Sequence, residues 1–180
     1  MIITDKIQSK ISRKCFFIRG KIEIDHQYFI KNIKETCKTN VNLNYKTNVR
    51  GFMTQWNHFA QDKNFLKIIR SFMKEVDKTI LFPKYICSEA WGFEVPPNNE
   101  TKFHSHQEAL WSGAIYLSSS SQKLIFPEIN KEIKPEIGSF VIFSGFLSHG
   151  CEANEDNVSK FGLSFNVFEQ KPWCVSTLSK

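Results

Sequence analysis

The sequence is short of the features that staple, anchor or divide a chain. Its five cysteines, Cys15, Cys37, Cys87, Cys151 and Cys174, are scattered, odd in number and never spaced Cys-x-x-Cys. That pattern argues against a disulfide framework and against a structural zinc site. No apolar run approaches the length of a membrane span. Met1–Lys6 has no basic stretch leading into an apolar core of the kind that begins a secretory leader. There is no internal repeat, and the serine run Ser118–Ser121 is too short to separate domains. A cytoplasmic, reduced protein without a membrane partner is expected. Charge of one sign is also not concentrated: Lys and Arg total 24 against 18 Asp and Glu, a net +6. This permits an acidic partner without selecting one, so nucleic acid is possible but not favoured.

What the chain does hold is aromatic and apolar material in two textures. With 180 residues, 17 of them Phe, it can build one real core but not two comfortable ones, so residues 1–180 are expected to form a single domain. Residues 1–84 are expected to be a mainly helical support. Cys15–Ile18 suits a short edge strand. Asp25 is a plausible N-cap for a helix over residues 25–33, in which Phe29, Ile30 and Ile33 recur at helical spacing. The polar, Asn-rich residues 38–50 suit an irregular connection. A longer helix is expected from about residue 59 to 81, because Phe65, Ile68, Ile69, Phe72, Met73 and Val76 make one apolar stripe that must lie against a sheet.

From Lys84 onward the pattern becomes strand-like. Runs at residues 85–95, 111–117, 123–126, 132–134, 140–143 and 160–168 are separated by turns rich in Pro, Gly, Ser and Asn. Short strands at such intervals indicate an antiparallel sandwich or barrel. Helices first and strands afterwards predict an α+β fold, with a jelly-roll core over residues 85–170.

The chemistry-bearing stretch starts at His104-Ser105-His106. In an extended chain, residues i and i+2 project to one face, so both rings can address one object. A third histidine, His149, follows the apolar strand at 140–143, and Lys160 opens the last strand. Neutral imidazoles suit first-row metals, and a site with two or three protein ligands leaves positions open for substrate. His26 and His58 lie in polar, helical surroundings and are expected at the surface. Trp91, Trp111 and Phe103 are placed to line a pocket or to pack the core, and Cys151 has no assigned role.

From Trp91 to Phe168 the order of segments resembles the iron(II)- and 2-oxoglutarate-dependent oxygenases, and more narrowly a branch found in marine bacteria and phages. The resemblance rests on Ala90-Trp91-Gly92-Phe93, His104-Ser105-His106, Ser112-Gly113-Ala114-Ile115-Tyr116-Leu117, Pro135-Glu136-Ile137-Gly138, Phe140-Val141-Ile142-Phe143, His149 and Lys160-Phe161-Gly162. A looser echo lies at Arg50–Trp56. The resemblance implies a double-stranded β-helix that binds Fe(II) through a His-x-(Asp/Glu)…His triad, with 2-oxoglutarate as co-substrate. His104 and His149 take the histidine positions. Lys160, eleven residues beyond His149, takes the position of the basic residue that pairs with the 5-carboxylate of 2-oxoglutarate, and Tyr116 matches a position whose hydroxyl often shares it. The implied reaction hydroxylates an unidentified substrate and decarboxylates 2-oxoglutarate to succinate.

The chain departs from that pattern twice. His106 stands where the family has a carboxylate, so the third ligand is His106 or, if the strand runs on, Glu108. Gly162 stands where related sequences often carry Ser. Two other readings stay open: a cupin-like three-histidine metal dioxygenase without 2-oxoglutarate, and a catalytically silent β-sandwich binding module. The substrate and the oligomeric state are not fixed by the sequence.

Overall fold

The computed structural model describes residues 1–10, 14–39, 48–79 and 84–170. In chain order the elements are β1 (Ile2–Lys10), β2 (Lys14–Lys21), α1 (His26–Thr39), β3 (Phe52–Met53), α2 (Lys63–Thr79), β4 (Tyr85–Val95), β5 (Thr101–His104), β6 (Trp111–Tyr116), β7 (Leu124–Phe126), β8 (Lys131–Ile133), β9 (Ser139–Ser144), β10 (His149–Cys151) and β11 (Lys160–Glu169). They form a seven-stranded sheet in the order β1-β2-β9-β6-β11-β4-β3 and a four-stranded sheet in the order β5-β10-β7-β8. Every pairing is antiparallel. This is the jelly-roll core that the strand pattern predicts, and the double-stranded β-helix that the family resemblance implies.

Period-two alternation gives the large sheet two different faces. Along β9, Phe140 and Ile142 point to the helices while Val141 and Phe143 point to the small sheet. The helix-side face takes Phe29 and Ile33 from α1 and Phe65, Ile69, Phe72 and Val76 from α2. Phe72 lies 4.5 Å from the Phe140 ring and 5.9 Å from Phe165. Each such fully buried side chain contributes about 1.5–3 kcal/mol. Close approach is enforced at Gly113 on β6, where a Cβ would collide with the Phe165 ring and the Val141 carbonyl.

The N-terminal part is less helical than the composition suggests. β2 is no edge strand: β1 covers its outer side, β9 pairs with its inner side, and Cys15 to Ile18 are all buried. Pairing with a partner far along the chain is invisible to local periodicity. α1 begins as expected, with the Tyr28 amide donating to the Asp25 carboxylate at 3.0 Å, but runs past Ile33 to Thr39. α2 starts at Lys63 rather than near Phe59. The stronger N-cap is Asp62, whose carboxylate accepts from the amides of Asn64 and Phe65, both at 2.9 Å. Residues 55–60 instead turn beside β4. The expected connection at 38–50 ends in order: Val49 bridges Thr101, and the Lys102 amide donates to the Asn48 carbonyl at 2.8 Å. Residues 40–47 lie outside the described residues.

Candidate metal centre and its cavity

His104 and His149 are brought together by strand pairing, since β5 and β10 place them directly opposite each other. His106 arrives differently. The expectation that one strand carries both His104 and His106 does not hold, because β5 ends at His104. The chain is then fixed by the His106 amide, which donates to the Gly145 carbonyl at 2.7 Å, and by the Ala109 amide, which closes a turn on the His106 carbonyl at 2.9 Å. Gly145 permits this approach, since a Cβ there would meet the carbonyl oxygens of Ala109 and His106. Ending the strand at His104 also decides the position of Glu108, which sits exposed on that turn and outside the histidine cluster.

The three imidazoles each offer one nitrogen, and these nitrogens lie within 4.8 Å of one another. Ring centroids are separated by 5.0 Å for His104–His106, 4.4 Å for His104–His149 and 5.2 Å for His106–His149. Among the described residues this is the one group of His, Cys, Asp or Glu that could hold a metal ion. The donor set fits that use. His104 Nδ1 donates to the Lys102 carbonyl at 2.7 Å and His149 Nδ1 to the Leu147 carbonyl at 3.0 Å. A carbonyl only accepts, so both rings carry their proton on Nδ1 and leave the Nε2 lone pair free, the usual arrangement of a ligating histidine. Phe126 and Phe143 flank His149, with centroids 5.7 and 4.7 Å away. Burial favours the neutral form throughout. It pushes His149 down to about 3 and His106 to about 4, with the neighbouring His104 adding to both, and it lowers His104 as well.

Lys160 and Tyr116 line the same cavity as the histidines, together with Trp91, Phe93, Ser112 and Cys151. The cavity holds about 560 Å³ of atom-free space, part of it open to solvent. Lys160 is only 2% exposed. Its ammonium has the Cys151 thiol at 3.5 Å and the Tyr116 ring at 6.0 Å. Burial therefore depresses the Lys160 pKa, and it raises those of Cys151 and Tyr116. The Tyr116 hydroxyl has no hydrogen-bond partner among the described residues. Asp156 acts on Lys160 only through space, and no carboxylate among the described residues forms an ion pair with it, so the cation facing the cavity still calls for an anion.

Of the aromatic candidates, Trp91 is in the cavity wall, Trp111 is fully buried against the helix-side core, and Phe103 is 51% exposed. His58 is exposed and His26 partly so. Gly162 has a steric explanation: the Phe93 ring fills the space into which a side chain at 162 would project. Sequence reasoning missed a polar row on the cavity side, Ser112–Asn166–Glu89. Its members lie far apart in the chain, and only register aligns them.

No protein-family model matches the sequence, and no curated protein matches it. The fold does have solved counterparts. The viral collagen prolyl hydroxylase of Paramecium bursaria Chlorella virus-1, in complex with 2-oxoglutarate, superposes with a TM-score of 0.66 at 14% identity, covering 84% of this chain and 96% of that one. The Trichoplax adhaerens prolyl hydroxylase, solved with a hypoxia inducible factor peptide fragment, gives 0.62 at 11% identity, covering 89% and 87%. EctD from S. alaskensis with bound Fe gives 0.59 at 12% identity, covering 87% and 78%. The chain thus has the fold of the 2-oxoglutarate–Fe(II) oxygenases.

Proposed function

We propose that the protein is an Fe(II)- and 2-oxoglutarate-dependent oxygenase that hydroxylates its substrate. In this reading His104, His106 and His149 hold the iron, Lys160 pairs with the distal carboxylate of 2-oxoglutarate, and Tyr116 donates its hydroxyl to the same carboxylate. The carrying observation is the buried Lys160 ammonium, without an ion pair among the described residues, in one cavity with three convergent neutral imidazoles. A three-histidine dioxygenase that uses no oxoacid gives that cation nothing to do. When bound, iron with 2-oxoglutarate and dioxygen supplies the oxidising power for C–H hydroxylation, with release of succinate and carbon dioxide.

The chain's own residues bind and orient. The Nδ1–H bonds to Lys102 and Leu147 aim two of the rings. Lys160 holds the far end of the co-substrate, and the Phe126, Phe143 and Trp91 rings keep water from the reacting face. The reduced thiols of Cys37, Cys87 and Cys151 support a reducing, cytoplasmic setting. Among the described residues no helix is long and apolar enough to cross a membrane. The peptide bound by the Trichoplax enzyme supports a peptide or protein side chain as one substrate class, beside small molecules.

The test is anaerobic addition of Fe(II) and 2-oxoglutarate. Bidentate oxoacid on iron gives a broad visible charge-transfer band, and Lys160→Ala should weaken that band while iron remains bound. Iron uptake without the band in the wild type would overturn the reading in favour of a metal site that takes no oxoacid.

A further inference from the structure

We propose that the primary substrate carries a protonated amine or guanidinium, received beside the cavity by Glu89, which lies on the same face of β4 as Trp91, with the Trp91–Trp56 ring pair alongside. This rests on the oxygenase reading of the adjoining site and adds to it the charge of what the site oxidises.

The argument begins with the polar row. Register places Ser112, Asn166 and Glu89 side by side across β6, β11 and β4. Ser112 Oγ donates to Asn166 Oδ1 at 2.7 Å, and Asn166 Nδ2 donates to Glu89 Oε2 at 2.7 Å. Ser112 and Asn166 are 1% and 4% exposed, whereas Glu89 is only partly buried. The row is thus an oriented chain ending in a carboxylate. One oxygen of that carboxylate is fixed, and the other has no partner among the described residues. A carboxylate held in this way is preorganised for a donor arriving from solvent.

The neighbours of Glu89 select for a cation. Glu89, Trp91 and Phe93 alternate on the cavity side of β4, and Trp91 and Phe93 line the cavity. The Ala90 amide donates to the Trp56 carbonyl at 2.8 Å, anchoring the 55–60 turn alongside β4. From there the Trp56 ring packs edge-on against Trp91 at 4.6 Å, and Trp91 lies 6.3 Å from His106. Two indole rings beside a carboxylate are the elements that receive an alkylammonium or guanidinium group. One residue beyond Asn166 the register shifts, leaving Ser88 as an extra residue on β4. Past it, Ile86, 48% exposed, pairs with Phe168.

Charge and distance are consistent with this. Lys160 lines the cavity at the start of β11, whereas Glu89 pairs with Asn166 six residues further along the same strand, so an anionic co-substrate and a cationic substrate are sorted to separate places. Along the strand, Glu89 stands about 7 Å from Trp91, within reach of an aminoalkyl or guanidinoalkyl chain whose C–H bonds face the histidines.

The experiment is titration of the metal-free protein with N-acetyl-lysine methylamide and N-acetyl-arginine methylamide, against the uncharged norleucine and citrulline counterparts, followed by NMR. Basic probes should bind about tenfold or more tighter than neutral ones, the scale of one charge-assisted hydrogen bond. Glu89→Gln should erase that preference with an unchanged melting temperature, and Trp56→Ala should reduce it. Equal binding of basic and neutral probes, no binding of any probe, or an unaffected preference in Glu89→Gln would overturn the proposal. Mn(II) and 2-oxoglutarate uptake is measured in the same samples. A wild type that takes up neither, yet keeps its charge preference, would sink the oxygenase reading and leave the cation recess standing. Normal uptake without charge preference would sink the recess alone.

Discussion

The two faces of the seven-stranded sheet are made by the same strands and differ in almost every other respect. On the helix side, Ile142, Leu163 and Val167 sit in one apolar cluster, and their arrangement is a matter of volume and shape. On the cavity side the same strands carry Tyr116, Lys160, Ser112 and Asn166, and each polar group faces either a stated partner or the cavity. One face holds the protein together, and the other carries polar groups whose demands are met in part by what enters the cavity. Substitutions on the two faces should therefore separate stability from binding.

The largest effect is expected on the helix side. Phe72→Ala should cost about 3–5 kcal/mol in urea denaturation, while the molecules that remain folded take up iron as before. If iron uptake fell in step with stability, the faces would not be independent. On the cavity side, His106→Ala should reduce iron affinity at least about a hundredfold, whereas Glu108→Ala should leave it unchanged in a competition titration; the reverse pattern would move the third ligand to Glu108. Lys160→Ala should weaken 2-oxoglutarate binding by about 1.5–3 kcal/mol, with a far smaller effect on iron. Lys160→Met sharpens the contrast, because replacing a buried cation that has no ion pair among the described residues by an apolar chain should leave stability equal or higher. Equal loss of iron and oxoacid in the alanine variant would make Lys160 a structural residue. The smallest change is expected far from the cavity, where Asp25→Ala removes the α1 cap and should lower stability by about 1 kcal/mol without altering either ligand's affinity.

Much of this layout was legible in the residue order. The β11 sequence Lys160-Phe161-Gly162-Leu163-Ser164-Phe165 alternates so plainly that both of its faces can be read off, and the apolar stripe from Phe65 to Val76 predicts a helix lying on a sheet. The helix start was misread because Phe59 and Ala60 are apolar and buried, yet they sit in turns ahead of the Asp62 cap. β2 was underestimated for a related reason: its partner β9 lies more than a hundred residues away, and pairing of that kind leaves no local period.

The site divides along the same line. By itself the sequence determined which chemical groups are present: two histidines one residue apart, a third beyond an apolar strand, and a lysine eleven residues after that. Composition and spacing set donor type and charge, so they could indicate metal and anion binding. Only the tertiary structure decided that the three rings meet, that Glu108 stays outside, that Phe93 fills the space above Gly162, and that Ser112, Asn166 and Glu89 join in one hydrogen-bonded row. Those outcomes depend on strand register and on where β5 stops. Each is set by packing and hydrogen bonding between segments far apart in the chain, energies that no single stretch of sequence contains.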